Sequence, residues 1–137
     1  MDVRHQHPIK VRFYELDPYG HLNHSVYVQL FETGRVELLD QIGLGLHALQ
    51  DQGYQFVVSK IETKFLAPGV GGDELIIETS LTEMRRASSR WFQRILRDDQ
   101  VLATQEVLAA VTNDQGRPVR CPDFITEALL PFLAGPQ

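Results

Sequence analysis

The feature of the sequence that most constrains its fold is a change in the spacing of apolar residues. In residues 24–41, apolar side chains such as Val26, Leu30 and Leu38 recur at helical intervals and predict a long amphipathic helix. The segment 9–14 before it alternates between apolar and polar residues, which predicts a strand. Four more alternating stretches follow the helix. Strands joined by short turns form antiparallel sheets, so the sequence predicts an α+β domain in which such a sheet covers one helix.

The four later strands are predicted to begin near Tyr54, Leu75, Trp91 and Val101. In the first of these strands the apolar residues change from even to odd positions near Ser59. Because side chains of a strand alternate between its faces, this change predicts a β-bulge. A single sheet over one helix leaves one sheet face and the edges uncovered, so we expect the protein to self-associate.

Capping residues and glycines predict where the helices begin and how closely they pack. Asn23, or alternatively Ser25, is the expected N-cap of the long helix. Gly34 lies on its apolar face and would allow the helix to approach the sheet closely. A short C-terminal helix is expected at 123–130, with Asp123 as its N-cap.

Composition narrows the class of protein. The chain has 137 residues, 43% of them hydrophobic, and a formal net charge of −5. That size fits one domain, and the negative charge disfavours nucleic acid and anionic membranes as partners. The single cysteine, Cys121, excludes an intrachain disulfide and favours a reducing compartment. Residues 1–7 contain no apolar segment typical of a signal peptide, and no apolar run approaches a membrane span, so we expect a cytoplasmic protein.

Polar side chains are concentrated where the first strand gives way to the long helix. Asp17-Pro18-Tyr19-Gly20 breaks the strand, and Gly20 permits an unusual backbone conformation there. His21, Asn23 and His24 follow before the first helical turn is complete. A helix start presents unpaired N–H groups and the positive end of the helix dipole. The junction is therefore suited to chemistry on a carbonyl group.

The stretch Tyr14-Glu15-Leu16-Asp17-Pro18-Tyr19-Gly20-His21-Leu22-Asn23-His24-Ser25-Val26-Tyr27, with Glu32 and Arg35 further along the helix, resembles hotdog-fold acyl thioesterases of the 4-hydroxybenzoyl-CoA thioesterase type. A second matching motif is Phe65-Leu66-Ala67-Pro68, followed by Gly72-Asp73. The closing Arg117-Pro118-Val119-Arg120 also resembles acyl-ACP thioesterases of the same fold. The similarity covers about residues 8–122.

This resemblance implies a hotdog fold, a five-stranded antiparallel sheet wrapped around one long central helix. It implies one thioesterase domain over 1–137, with a core at about 8–122 and a tail at 123–137. The implied reaction is hydrolysis of an acyl-CoA or acyl-ACP thioester to a free acid and a thiol. The family builds homodimers, often paired into homotetramers, with active sites between subunits. No cofactor is implied, because coenzyme A enters as part of the substrate.

The resemblance also implies that Asp17 is the catalytic carboxylate. A carboxylate can attack the thioester carbonyl or deprotonate a water. His24 is the second catalytic candidate, because its backbone N–H is placed to stabilise the oxyanion. The predicted substrate-binding residues are Gly20, Asn23, Tyr27, Ser59, Arg85 and Arg86. Of these, the two arginines are candidates for the phosphates of coenzyme A, although a solvated turn would have the same composition.

Other interpretations compete at several of these residues. Hotdog dehydratases also carry a Gly-His pair before the central helix and a glutamate on it, as at His21 and Glu32, but their intervening segment is proline-rich and this one is not. Glu32 and Arg35 are three residues apart and are expected to form a solvated or interface ion pair. The chain's histidines lack the helical spacing of metal ligands, so no metal is predicted. A non-catalytic acyl-CoA-binding protein on the same fold is the alternative function.

Overall fold

The computed structural model of the protein describes residues 4–134; the outermost parts of the predicted domain, 1–3 and 135–137, lie outside this range. Its sheet consists of β1 (His5–Lys10), β2 (Tyr54–Phe65), β3 (Glu74–Met84), β4 (Ser88–Arg97) and β5 (Gln100–Asn113). The strand order is β1-β3-β4-β5-β2, and every neighbouring pair is antiparallel. The helices are α1 (His24–Gln41), α2 (Leu46–Asp51) and α3 (Asp123–Leu129). The predicted α+β architecture, a five-stranded antiparallel sheet with one long helix, is confirmed.

Strand β2 forms one edge of this sheet and carries the predicted bulge. Val58 pairs with Ala109, whereas Lys60 pairs with Leu108, so Ser59 is the extra residue. Its hydroxyl donates to the carbonyl of Leu108 at 3.1 Å. The change of apolar parity in the sequence therefore marked a real irregularity of the ladder.

The first strand is shorter than predicted. It ends at Lys10, and Phe13–Glu15 form a 3-10 turn with Phe13 85% exposed. The Glu15 carboxylate accepts the backbone N–H of Arg12 at 2.8 Å, and the Glu15 N–H donates to the Arg12 carbonyl at 3.0 Å. These local bonds replace ladder hydrogen bonds. The prediction that the strand continues to Tyr14 was therefore wrong.

The limits of the helices follow mostly local signals. Asn23 caps α1, as predicted, and Gly43 follows the helix with a φ of +79°. At the C-terminus Pro122 occupies the N-cap position and Asp123 is the first helical residue, so the prediction of Asp123 as N-cap was wrong. The fixed backbone angle of a proline and its lack of an N–H group suit a position before the first turn. No helix within residues 4–134 combines the length and apolarity needed to span a membrane.

Two hydrophobic clusters fill the space between the helices and the sheet. The first surrounds the start of α1 and includes Leu30, Phe31 and Ile77. The second lies toward the other end of α1 and includes Leu38 and Trp91. In this way the amphipathic face of α1 is buried along its length against the sheet.

Buried polar residues of β4 and β5 contact α1. We call Thr63, Thr79, Gln93, Gln105 and Arg35 the polar layer. The Arg35 Nη1 donates to the side-chain oxygens of Gln93 at 2.8 Å and Gln105 at 2.7 Å. The amide groups of these glutamines donate to Thr79 and Thr63, both at 2.9 Å. The polar layer thus links α1 to four strands of the sheet.

Arg35 is only 9% exposed and forms no ion pair with Glu32 within the described residues. The predicted solvated or interface ion pair between Glu32 and Arg35 is therefore not formed among residues 4–134. Gly34 precedes Arg35, and a Cβ there would lie 2.5 Å from the Ile77 Cγ2 atom. The absence of a side chain at Gly34 allows the close helix–sheet contact that the sequence predicted.

Candidate active site

The turn before α1 holds the carboxylate of Asp17 in one orientation. Its Oδ1 accepts the backbone N–H groups of Tyr19 at 2.9 Å and of His21 at 3.1 Å. The backbone closes the same turn, since the Asp17 N–H donates to the His21 carbonyl at 2.7 Å and the Gly20 N–H to the Asp17 carbonyl at 3.0 Å. Gly20 has a φ of +79°, a left-handed conformation that glycine adopts without strain.

The other carboxylate oxygen is available. Among residues 4–134, Asp17 Oδ2 accepts no hydrogen bond, and the side chain is half-buried at the edge of a cleft. One oxygen is therefore fixed by backbone donors while the second can take a proton or contact a ligand. This is a suitable arrangement for a general base or a nucleophile.

The first turn of α1 leaves one backbone donor without a partner. The Asn23 side-chain oxygen accepts the N–H of Ser25 at 3.0 Å and its hydroxyl at 2.9 Å. The N–H groups of Val26 and Tyr27 donate to the Asn23 carbonyl. Within the described residues, only the His24 N–H of this turn has no acceptor. A free N–H at a helix start is a favourable donor to an oxyanion.

Asp17 and His24 border the same cleft, which has a volume of about 330 Å³. It is lined by Asp17, His21, Leu22, His24, Tyr27, Phe65, Leu66, Ala67 and Pro68. Two of its apolar walls are open to solvent, because Phe65 is 51% exposed and Leu66 is 61% exposed. The cleft therefore combines a carboxylate and a free N–H group with an apolar surface that is open to solvent at Phe65 and Leu66.

Tyr27 stabilises the opposite wall of the cleft. Its hydroxyl accepts the Gly69 N–H at 3.0 Å and donates to the Ala67 carbonyl at 3.3 Å. Burial raises the pKa of Tyr27, and the Gly69 N–H opposes this rise. The ring packs edge-to-face on Phe65, with the centroids 5.4 Å apart. Both hydrogen bonds of the Tyr27 hydroxyl therefore go to the loop, and Tyr27 contributes its ring to the wall of the cleft.

Asp73 of the Gly72-Asp73 motif and Arg97, which sequence reasoning did not single out, hold this loop. The Asp73 carboxylate accepts the Val70 N–H at 2.9 Å and Arg97 Nη1 at 2.7 Å. Arg97 also donates to the Pro68 carbonyl at 3.3 Å. The Gly72-Asp73 motif was the available sequence signal for the loop, but nothing in the sequence pairs Arg97 with it.

The remaining predicted residues are distributed as follows. Gly20 and Asn23 shape the turn and the helix cap beside the cleft. Ser59 lies at the β2 bulge and is not among the residues that line the cleft. Arg85 and Arg86 lie in the β3–β4 turn, where Arg85 contacts Glu83 and the Arg86 carbonyl accepts the Cys121 N–H at 2.7 Å. Within residues 4–134 the chain therefore brings together Asp17, His24 and Tyr27 but not the serine or the two arginines.

The fold is the predicted hotdog fold, and the family and relatives given next show a thioester hydrolase, the class of enzyme that the sequence predicted. The chain belongs to the thioesterase-like superfamily, whose sequence profile matches residues 11–129.

Relatives with assigned names agree with this membership. The chain is 30% identical over 135 residues to the acyl-acyl carrier protein thioesterase ATL3 of Arabidopsis thaliana, covering 97% of this chain and 71% of that protein. It is 31% identical over 107 residues to the acyl-CoA thioester hydrolase YbgC of Escherichia coli, and the match covers 78% of this chain and 80% of that protein. Among solved structures, a hypothetical protein from Thermus thermophilus superimposes with a TM-score of 0.86 at 30% identity over 93% of this chain and 98% of that one. A probable thioesterase from Bartonella henselae superimposes with a TM-score of 0.82 at 29% identity, and the match covers 87% of this chain and 99% of that one.

Proposed function

We propose that this protein hydrolyses an acyl-CoA or acyl-ACP thioester to a free acid and a thiol, with Asp17 as the catalytic carboxylate. The observation that carries the proposal is the position of a carboxylate with one free oxygen beside an unpaired helix N–H in a partly apolar cleft. A thioester has an electrophilic carbonyl and a good leaving group, so the reaction needs no cofactor other than the coenzyme A of the substrate.

The proposed chemistry assigns one step to each group. Asp17 Oδ2 takes a proton from a water as the water oxygen bonds to the thioester carbonyl carbon, or Asp17 attacks that carbon and forms an anhydride that water then cleaves. The His24 N–H stabilises the negative carbonyl oxygen in either case. In the first route the C–S bond breaks from the tetrahedral intermediate, and the departing thiolate takes the proton that Asp17 accepted from the water. In the second route the C–S bond breaks as the anhydride forms; water then cleaves the anhydride, its hydroxyl goes to one carbonyl carbon, its proton goes to the thiolate, and the carboxylic acid leaves with Asp17 restored.

The exposed edge of the sheet supports a homodimer, which the family resemblance implies, with pairs of dimers as homotetramers. β2 is an edge strand, and its Val57, Val58 and Ile61 are each 42% exposed. Long apolar edges associate with further strands. Antiparallel pairing of β2 with the β2 of a second copy would cover these residues and extend the wall of the cleft beyond Phe65. In this arrangement Ser59 lies at the subunit contact and Arg85 and Arg86 are candidates for the phosphates of coenzyme A.

The named relatives act on two kinds of thioester, one carried by acyl carrier protein and one by coenzyme A. The proposal therefore includes both leaving groups. The absence of a possible intrachain disulfide favours action in the cytoplasm.

The test is the variant Asp17→Asn, assayed for thiol release on acyl-CoAs with short, long and aromatic acyl groups. Asparagine keeps an oxygen that can accept the Tyr19 and His21 N–H groups, so the turn should persist. We expect turnover to fall by about 10²- to 10⁴-fold, the usual contribution of a general base, with an unchanged melting temperature. The exposed Asp99→Asn is the matched control and should retain full activity.

Full activity in Asp17→Asn would reject the catalytic assignment. If the unaltered protein bound acyl-CoA and released no thiol across the panel, the non-catalytic binding protein would be the correct function. A single turnover in ¹⁸O-water distinguishes the two roles of Asp17, because an anhydride would transfer an enzyme oxygen to the first product.

A further inference from the structure

The loop that joins β2 to β3 lies against the stretch of chain that precedes α1. We call residues 66–73 the cleft loop. The Leu22 N–H donates to the Gly69 carbonyl at 2.8 Å, and His21 forms an isolated antiparallel bridge with Val70. The cleft loop is therefore bonded to the chain between the candidate catalytic carboxylate and the free N–H group at the helix start.

The contact at Gly69 is close. A Cβ at this position would lie 3.2 Å from the Leu22 Cβ and 3.4 Å from the Tyr27 hydroxyl. The Gly69 N–H donates to that same hydroxyl at 3.0 Å. Because the packed atoms leave little free space, a cleft loop that moved inward would displace Leu22, and one that moved outward would break its hydrogen bond.

Arg97, the last residue of β4, holds the cleft loop at two points. Its Nη1 donates to the Asp73 carboxylate at 2.7 Å and to the Pro68 carbonyl at 3.3 Å. The same carboxylate oxygen accepts the Val70 N–H at 2.9 Å. The Nη2 of Arg97 donates to the Gln100 side chain at 2.8 Å, which anchors the guanidinium at the turn between β4 and β5. Hydrogen bonds between charged groups are among the strong ones, so this arginine fixes both ends of the loop.

We propose that Arg97 is a positioning residue of the thioesterase site, acting through the cleft loop on the geometry of Asp17 and the His24 N–H. The inference rests on the proposed function, in which these two groups act on the thioester. In the part of the chain that the structure describes, Arg97 is not among the residues that line the cleft, so it acts without touching the substrate. A displacement of about 1 Å in a catalytic site can cost about 10²-fold in rate.

Arg94 offers a matched control three residues earlier in β4. Its Nε donates to the Glu78 carboxylate at 2.8 Å, so it also forms a pair with an acid. The arginine and carboxylate side chains are exposed to a similar degree, 29% and 9% in this pair and 30% and 15% in the Arg97 pair. Glu78 lies within β3 and outside the cleft loop. Loss of either pair should destabilise the protein, but only loss of the Arg97 pair should release the loop.

The first measurement is steady-state thiol release from the acyl-CoA that the unaltered protein cleaves fastest, beside urea unfolding. In Arg97→Met we expect kcat to fall about tenfold and KM to change less than about twofold, because the loop orients groups that act in the transition state. Arg94→Met should keep both kinetic constants. Arg97→Lys can still donate to the carboxylate and should recover part of kcat.

Asp73→Asn tests the same contact from its other side and should also lower kcat. The double variant Asp73→Asn with Arg97→Met should lose less activity than the product of the two single effects, because both changes remove one shared contact.

The second measurement needs no substrate. Hydrogen exchange at the Leu22 and Gly69 amides reports whether the cleft loop stays bonded to the stretch before α1. In Arg97→Met these amides should exchange about tenfold faster, as expected for loss of a charged hydrogen bond. In Arg94→Met their exchange should be unchanged.

Equal kcat in Arg97→Met and Arg94→Met would overturn the proposal, as would a fall of kcat in Arg97→Met without faster exchange at Leu22. If Arg97→Met does not fold, Arg97→Lys and Asp73→Asn take its place, and full kcat in both would overturn the positioning role. If the unaltered protein released no thiol, the thioesterase function itself would fail. Exchange at Leu22 would then decide alone whether Arg97 holds this stretch of the chain.

Discussion

Asp17 and Arg35 are both held by hydrogen bonds, but the bonds differ in kind. Asp17 precedes α1, and its carboxylate is oriented by backbone N–H groups two and four residues later in the chain. Arg35 lies within α1, and its guanidinium is oriented by side chains 58 and 70 residues later. The first arrangement is a local turn at the edge of an open cleft; the second is a buried network that spans the sheet.

This difference separates two tasks of one helix. In the turn before α1, backbone N–H groups orient the Asp17 carboxylate through Oδ1 alone, so Oδ2 stays free. A buried charge must be compensated, so it ties the helix to the strands that supply its acceptors. We therefore expect changes at the helix start to act mainly on turnover and changes in the polar layer to act mainly on the free energy of unfolding.

The largest stability effect is expected from Arg35→Met. This change leaves the buried side-chain oxygens of Gln93 and Gln105 without their donor, and each lost partner costs about 1–3 kcal/mol. We expect the free energy of unfolding in urea to fall by about 2–4 kcal/mol. Arg35→Lys keeps a cation with several hydrogen-bond donors and should lose less of the free energy of unfolding. The exposed Arg120→Met is the control and should change stability by less than about 0.5 kcal/mol. If both methionine variants lost the same free energy of unfolding, the buried hydrogen bonds of Arg35 would contribute no more to stability than an exposed arginine does.

A smaller effect is expected from Gly34→Ala, which tests the close contact beside the polar layer. The new Cβ would lie 2.5 Å from Ile77 Cγ2 and 3.0 Å from Gln93 Nε2. Ile77 is fully buried, so its methyl group cannot swing into solvent. Overpacking costs about 1–3 kcal/mol, which exceeds the gain of up to about 1 kcal/mol in helix propensity.

Urea unfolding measures this loss, with Thr33→Ala, at the neighbouring position of α1, as the control. The double change Gly34→Ala with Ile77→Leu should recover part of the loss, because leucine has no methyl branch on Cβ. If alanine at position 34 stabilised the protein, the close approach of helix and sheet would not be a constraint.

What the sequence could predict follows the same division between local and distant contacts. The cap at Asn23, the bulge at Ser59 and the need for a small residue at position 34 each follow from neighbouring residues or from a single face. The environment of Arg35 was missed because its acceptors lie on strands far along the chain, and a helical spacing to Glu32 suggested a simpler pair. The end of β1 was missed because the apolar alternation continues to Phe13. The strand ends earlier because the Glu15 carboxylate accepts the backbone N–H of Arg12.

The smallest effect, and the sharpest test of the helix start, is expected from Asn23→Ala. Loss of an N-cap side chain costs about 1 kcal/mol, and Asn23→Ser or Asn23→Asp should restore most of it because both side chains can accept the Ser25 N–H.

Turnover distinguishes a residue that only caps the helix from one that also contacts the substrate. If Asn23 only caps α1, the serine variant should recover kcat and KM together with stability. If Asn23 also contacts the substrate, stability should return while KM stays raised. Steady-state kinetics beside urea unfolding of the three variants measures both quantities. A serine variant with restored stability and a lower kcat at unchanged KM would show that this side chain positions the His24 N–H for the transition state.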